Sequence, residues 1–96
     1  MNGMNSLIIE GKITKTDDFS KVVDLETIRY YKDADGNKAE EKNIFPCVIP
    51  SSLYHLVKVG KEVRAIGRLK QYRWTSADGK LNSSIGIIAE HIEVKN

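Results

Sequence analysis

The 96-residue sequence predicts an all-β fold, a five-stranded Greek-key barrel with one short helix between strands 3 and 4. Five segments are rich in β-branched and aromatic residues, and several of them alternate apolar with polar side chains. Asp35-Gly36 and Asp78-Gly79 lie between such segments and indicate hairpins, because glycine accepts the positive φ of tight turns. Three strands, a helix and two strands follow one another in the order of an OB-fold.

The strands are expected over residues 6–15, 21–32, 43–49, 61–75 and 82–94, with a short third strand. In the first strand, the inward residues would be Leu7, Ile9, Gly11 and Ile13. The alternate residues Ile8 and Glu10 would then face out and form a subunit contact.

The segment between the third and fourth strands has the pattern of a helix of about two or three turns. Its apolar face would consist of residues spaced i, i+3 and i+4, namely Leu53, Leu56 and Val57. Ser51 or Ser52 could cap its first turn with a hydroxyl. Gly60 suits its C-terminal end.

Composition indicates one soluble globular domain over residues 1–96, because 41% of the residues are hydrophobic and 29% are charged. Cys47 is the single cysteine, so an intrachain disulfide is excluded, which fits a reducing cytosol. The sequence shows no signal peptide and no apolar run of roughly 18 residues, so a cytoplasmic protein without membrane contact is expected. The net charge of +2 does not by itself indicate a nucleic-acid partner.

The fourth strand carries the clearest indication of function. Its inner face would hold small or apolar residues, Val63, Ala65, Gly67 and Leu69, and its outer face Arg64, Ile66, Arg68, Lys70, Tyr72 and Trp74. Cations attract a phosphate backbone, and aromatic rings stack on the bases that single strands expose. The alternative is that both rings pack against a neighbouring loop while the cations are solvated.

Two adjacent tyrosines, Tyr30 and Tyr31, stand between Arg29 and Lys32 in the second strand. Adjacent residues of a strand point to opposite faces, so only one tyrosine can join a binding surface. The other would pack in the core or at an interface. The residues alone leave open which tyrosine faces a ligand.

Five pieces of the sequence, in the right order, resemble the bacterial single-stranded-DNA-binding protein family over nearly the whole chain. The strongest covers residues 60–80, where Gly67, Trp74 and the Asp-Gly pair ending at Gly79 are all in phase. The other pieces are residues 5–13, 25–36, 47–48 and 89–93. The resemblance implies an OB-fold that binds single-stranded DNA as a homodimer or homotetramer in DNA replication, repair and recombination. It also implies a bacterial, nucleoid-associated location and contacts with replication proteins.

The resemblance assigns roles to several residues. Trp74 corresponds to a base-stacking tryptophan, and Tyr30 or Tyr31 corresponds to another stacking aromatic. Lys70 and Arg73 match basic positions along the DNA path. The complete predicted binding set is Trp74, Tyr30, Tyr31, Tyr72, Lys70, Arg73, Arg29, Lys32, Lys12 and Lys80.

The sequence also departs from the family. Ile44 and Pro50 stand where many members carry further stacking aromatics, and Phe45 would compensate only if the strand bulged beside Pro46. The chain looks like a short member or core domain without the acidic C-terminal tail. We therefore expect weaker binding or a smaller footprint than is typical. The alternative is a protein-interaction module, a primosomal or prophage paralogue in which nucleic-acid binding is secondary.

No catalytic or metal site is predicted. His55, His91 and Cys47 are isolated from one another and lack the ligand spacing of zinc sites. The sequence shows neither a nucleophile with its base nor a glycine loop for phosphate. We therefore expect a non-enzymatic protein that uses no cofactor.

Overall fold

The computed structural model describes residues 3–95, which form five strands and one short 3-10 helix. The elements are β1 (Leu7–Asp17), β2 (Val22–Lys32), β3 (Lys38–Val48), the 3-10 helix (Ser51–Leu56), β4 (Glu62–Thr75) and β5 (Leu81–Val94). The strands close into a barrel in the order β1-β2-β3-β5-β4. Neighbouring strands are antiparallel except β3 and β5, which are parallel. This architecture confirms the predicted OB-fold.

Alternate residues of the strands fill the barrel interior, as a period of two requires. Leu7 and Ile9 of β1 pack against the buried core. That core consists of Ile13, Val23, Leu25, Cys47, Ile49, Val57, Val63, Ala65, Ile87, Ala89 and Ile92. The predicted inner face of the first strand is therefore confirmed.

Gly67 lies where β4 bends against β5. A β-carbon at this position would overlap the carbonyl oxygen of Ile88. The register between the two strands shifts between Ile66 and Gly67, which marks a bulge or irregularity. A residue without a side chain is therefore needed for β5 to approach β4 this closely.

Two hairpins extend beyond the closed part of the barrel. We call residues 27–43 the β2–β3 arm, because β1 pairs with β2 only from the Lys12–Glu26 pair onwards. Residues 70–86 form the β4–β5 arm, in which Lys70 pairs with Gly86. Since β3 and β5 run parallel and meet at Cys47–Ile87, both arms leave the barrel at the same end.

Each arm ends in one of the predicted Asp-Gly turns. Gly36 and Gly79 have φ angles of +80° and +83°, so both turns use glycine as expected. In the first turn, the Asp33 carboxylate accepts hydrogen bonds from two backbone N–H groups, each 2.9 Å long. In the second turn, hydrogen bonds from the Ser76 hydroxyl and the Lys80 N–H hold the pKa of Asp78 below its usual value.

The third strand and the helix differ from the sequence prediction. β3 is not short: it begins at Lys38 instead of residue 43, because every residue through Val48 pairs with β2. The helix has six residues, about two turns of 3-10 geometry, within the expected length, but it has no side-chain cap, so neither serine of its first turn caps it. Its first bond is donated by Leu53 N–H to the Pro50 carbonyl over 2.9 Å, the short spacing of a 3-10 turn. Val57 lies beyond its end in extended conformation.

Leu69 is also misplaced by the sequence prediction, because it is 47% exposed and does not lie in the core. It faces the same side as the buried Ile87, but it stands at the rim where the barrel opens. The side chain of Asn5 makes two hydrogen bonds to the backbone of Leu69. The Asn5 amide donates to the Leu69 carbonyl over 2.7 Å and accepts from the Leu69 N–H over 3.0 Å, extending the β1–β4 ladder past Leu7.

Candidate nucleic-acid interface

Pro46 stands at the point where the two arms separate. The N–H of Ile49 donates to the Lys21 carbonyl over 2.9 Å, on the β2 side of β3. Backbone groups alternate in direction along a strand, so the nitrogen of residue 46 faces β5. Proline has no N–H to donate, and the β3–β5 ladder begins only at Cys47. The β2–β3 ladder continues unbroken through Pro46, so the proline does not disturb that pairing.

The outer face of the β4–β5 arm carries the predicted row of cations and aromatics. Trp74 is 50% exposed although its backbone is paired with Asn82. The Lys70 ammonium lies 5.2 Å from the centre of the Tyr72 ring. Tyr72 is half-buried, while Arg68 and Lys70 are exposed. The outer face of β4 therefore presents two cations and two rings at alternate positions, from Arg68 to Trp74.

Arg73 lies on the other face of this arm. Its guanidinium donates two hydrogen bonds to the Gln71 side-chain oxygen, 2.8 and 3.2 Å long. Gln71 and Arg73 occupy the positions between Lys70, Tyr72 and Trp74, so they point away from that row. Arg73 therefore does not share a face with Trp74.

Arg64, at the start of β4, belongs to an ion-pair network on the barrel wall. Its guanidinium lies 2.7 Å from the Glu10 carboxylate and 3.5 Å from that of Glu93. Lys95 lies 2.9 Å from Glu10. Hydrogen bonds from Lys95 and Arg64 lower the pKa of Glu10, and the bond to Glu10 raises the pKa of Arg64. These cations are neutralised locally and are less suited to hold a phosphate.

The two tyrosines of the β2–β3 arm point to opposite faces, as the sequence predicts. Tyr31 is opposite Ala39, is 40% exposed and lies 5.3 Å from the Arg29 guanidinium. Tyr30 is opposite Glu40 and is 74% exposed. Tyr31 and Arg29 therefore form one surface, on the side that continues the barrel interior, and Tyr30 lies on the outer side.

Phe45 shares the side of Tyr31, whereas Ile44 lies on the outer side. The β2–β3 register runs without a shift from Val22–Val48 to Lys32–Lys38. The strand therefore does not bulge, and Phe45 does not take the place of Ile44. Both side chains are partly exposed, so each offers apolar surface on its own face.

The remaining predicted cations are dispersed. Lys12 lines a cavity of about 340 Å³ beside Tyr30, together with three carboxylates, those of Glu10, Glu26 and Glu62. That setting is unfavourable for a polyanion. Lys32 lies at the tip of the β2–β3 arm and Lys80 in the turn of the β4–β5 arm, both exposed. The structure thus brings Lys70, Tyr72 and Trp74 together and places Lys12 elsewhere.

Sequence reasoning missed two features. Lys38 lies directly opposite Lys32 at the arm tip, and it was overlooked because β3 was expected to begin five residues later. An apolar groove beside Tyr72 was also missed. It is built from residues that are far apart in the chain, and no local signal marks it.

Among residues 3–95, no group of three or more His, Cys, Asp or Glu side chains is placed to hold a metal ion. Burial raises the pKa of the Cys47 thiol to about 11, so the thiol is protonated at neutral pH. Within the same range, no helix has the length and hydropathy to cross a membrane.

The chain is similar to proteins of one family. The model of the Single-strand binding protein family matches residues 4–95. No curated protein matches the chain.

Several solved structures share its fold. The Plasmodium falciparum SSB in complex with ssDNA superposes with a TM-score of 0.81 at 13% identity, over 100% of this chain and 98% of that one. The small single-stranded DNA-binding protein from Streptomyces coelicolor superposes with a TM-score of 0.67 at 20% identity, over 99% of this chain and 96% of that one. A deletion mutant of the single-stranded DNA binding protein from Thermus aquaticus superposes with a TM-score of 0.76 at 18% identity. The match covers 98% of this chain but only 51% of that protein.

Proposed function

This chain belongs to the single-strand binding protein family, and we propose that it binds single-stranded DNA with little sequence preference, through base stacking and phosphate contacts. The supporting observation is the outer face of the β4–β5 arm, where Lys70, Tyr72 and Trp74 alternate along one strand. Only unpaired bases offer the faces on which such rings stack. We further propose that this binding serves in DNA replication, repair and recombination, because each of these processes exposes single-stranded DNA.

The arm is suited to this role because its backbone is paired and the Tyr72 ring is packed before any ligand arrives. Trp74 sits on a fully paired strand and still leaves half of its surface to solvent. Tyr72 is fixed against β5 beneath Lys70. Rings that are already positioned lose little conformational entropy on stacking. Lys70 and Arg68 on the same face supply the positive charge that a phosphate backbone requires.

Titration with oligo-dT tests the proposal through Trp74, the one tryptophan of the chain. We expect its fluorescence to be quenched on binding. Binding should also weaken as salt rises. If three cations such as Arg68, Lys70 and Lys80 neutralise phosphates, a plot of the logarithm of the binding constant against the logarithm of the salt concentration should have a slope of about −2. A duplex of the same length is the control and should compete poorly. Unchanged fluorescence together with no mobility shift at low salt would contradict the proposal.

We also propose that two copies associate through the first half of β1. Residues 7–11 pair with β4 on one side, whereas pairing with β2 begins only at Lys12. Ile8 is 67% exposed on this segment. An edge with unpaired backbone groups is a template for another strand, and a second copy would supply it in a homodimer that can assemble further into a homotetramer.

Replacing Ile8 with glutamate should weaken this association. Two copies related by a twofold axis would place like charges close together across the paired strands. Sedimentation equilibrium should show a lower average mass for Ile8→Glu than for wild type. Val59→Glu is the matched control, because Val59 is 62% exposed in a loop that follows the helix. A monomeric wild-type protein, or equal masses for both variants, would count against the contact.

A further inference from the structure

An apolar groove of about 400 Å³ runs along the outer surface where β3 and β5 separate. Val22, Pro46 and Val48 form one wall, and Tyr72 forms the other. Gly86 lies beneath the Tyr72 ring as the floor. The polar side-chain groups of the lining belong to Ser84 and to the Tyr72 hydroxyl. The groove adjoins the row of cations and rings on β4 but is separate from the exposed face of Trp74.

The groove depends on a glycine at position 86. A β-carbon there would lie 3.2 Å from Tyr72 Cε2 and 3.7 Å from the Pro46 carbonyl oxygen. The first distance is shorter than ordinary van der Waals contact, so a side chain would push the Tyr72 ring outward. Without a side chain at Gly86, the ring lies low over β5 and faces the valines of the opposite wall.

Charge around the groove is unequal. Lys70 lies above Tyr72, with its ammonium 5.2 Å from the ring centre, and Arg68 precedes it on the same face. Asp24 lies beside Pro46 on the opposite side, on the same outer surface as Val22. A phosphate would therefore lie at the Lys70 side, and the base attached to it would enter the groove between the ring and the valines.

We propose that this groove seats a thymine, with its ring against Tyr72 and its 5-methyl group among Val22, Pro46 and Val48. The proposal rests on single-stranded DNA binding as the function and specifies one base-binding position within it. Apolar contact with the methyl group is the usual way in which proteins distinguish thymine. Stacking on Trp74 tolerates any base, so a preference for the methyl would arise in the groove.

The test compares oligo-dT with oligo-dU, the deoxyuridine oligomer of equal length, which differs only by the methyl on each base. Burial of one methyl group predicts about fourfold tighter binding of oligo-dT for each base seated. Fluorescence anisotropy of end-labelled oligomers measures both affinities. Val48→Thr keeps the shape of the wall but replaces one of its methyl groups with a hydroxyl, so it should lower the ratio of oligo-dT to oligo-dU affinity.

Two further variants complete the experiment. Val59→Thr makes the same chemical change at an exposed loop position and should keep the fourfold ratio. Gly86→Val displaces Tyr72 and fills the floor, so it should lower the ratio even if Val48→Thr fails to fold. Equal affinities of the wild type for oligo-dT and oligo-dU would overturn the proposal that the groove seats a thymine. A ratio that persists in both groove variants would overturn it as well. Either result would leave the proposed function intact. Failure of wild type to bind either oligomer would overturn both proposals.

Discussion

Replacing Trp74 with alanine should weaken oligo-dT binding by about 5- to 160-fold, the factor expected from one lost base-stacking contact. The ring is half exposed on a strand whose backbone is paired throughout, so its removal should leave the arm in place. Anisotropy of an end-labelled oligomer is the appropriate measurement, because the variant lacks the fluorescent side chain. Trp74→Phe should recover part of the affinity, since a smaller ring still stacks.

Phe19→Ala is the matched control for this experiment. Phe19 is 98% exposed, but it lies in the β1–β2 turn, at the end of the barrel opposite both arms. Its removal should not change DNA affinity. If Trp74→Ala behaved like Phe19→Ala, the protein-interaction module would become the better interpretation, because that function does not require stacking at Trp74.

Gly67→Val should destabilise the protein by roughly 3 kcal/mol or more, at the upper end of what overpacking a core costs. A β-carbon here would lie 2.9 Å from the Ile88 carbonyl carbon and 3.0 Å from the Ala89 α-carbon. These are backbone atoms of β5, so relief requires the strand itself to move. For a domain of this size the loss corresponds to a fall in Tm of about 12–24 °C.

Thermal unfolding followed by circular dichroism measures this effect. Gly3→Ala is the control, because a β-carbon at Gly3 would meet no atom within 4 Å. The Tm values of Gly67→Val and Gly3→Ala should differ by nearly the whole fall in Tm predicted for Gly67→Val. An unfolding midpoint for Gly67→Val equal to that of Gly3→Ala would mean that β5 can move away from β4 without loss, contrary to the packing described above.

The fold could be predicted because its signals are local. The alternation of Leu7, Ile9 and Ile13 assigns one face of β1 to the core, and glycine with positive φ fixes both hairpin turns. Leu69 shows the limit of the same reasoning. The alternation correctly predicts its side of the strand, but exposure depends on where the neighbouring strands leave the barrel, and no property of β4 itself encodes that point.

The site was less predictable because it depends on partners distant in sequence. Arg64 and Lys70 are both cations on the outer face of β4, yet Glu10 and Glu93 neutralise only the first of them. The sequence left open which face each of Tyr30 and Tyr31 occupies, and the pairing with β3 assigns it by placing Glu40 opposite the first and Ala39 opposite the second. The groove is lined by residues of four separate strands, β2, β3, β4 and β5, so period-two analysis of any one strand could not find it.

The burial of Cys47 has a practical consequence for following the arms in solution. The chain contains one cysteine, which is 1% exposed and whose thiol has a pKa raised to about 11, so alkylating reagents should not react with it. A cysteine introduced at the tip of either arm would then be the sole reactive sulfhydryl. Fluorescent or spin labels could be attached there without altering the native residue, and the spacing of the two hairpins could be measured with and without DNA.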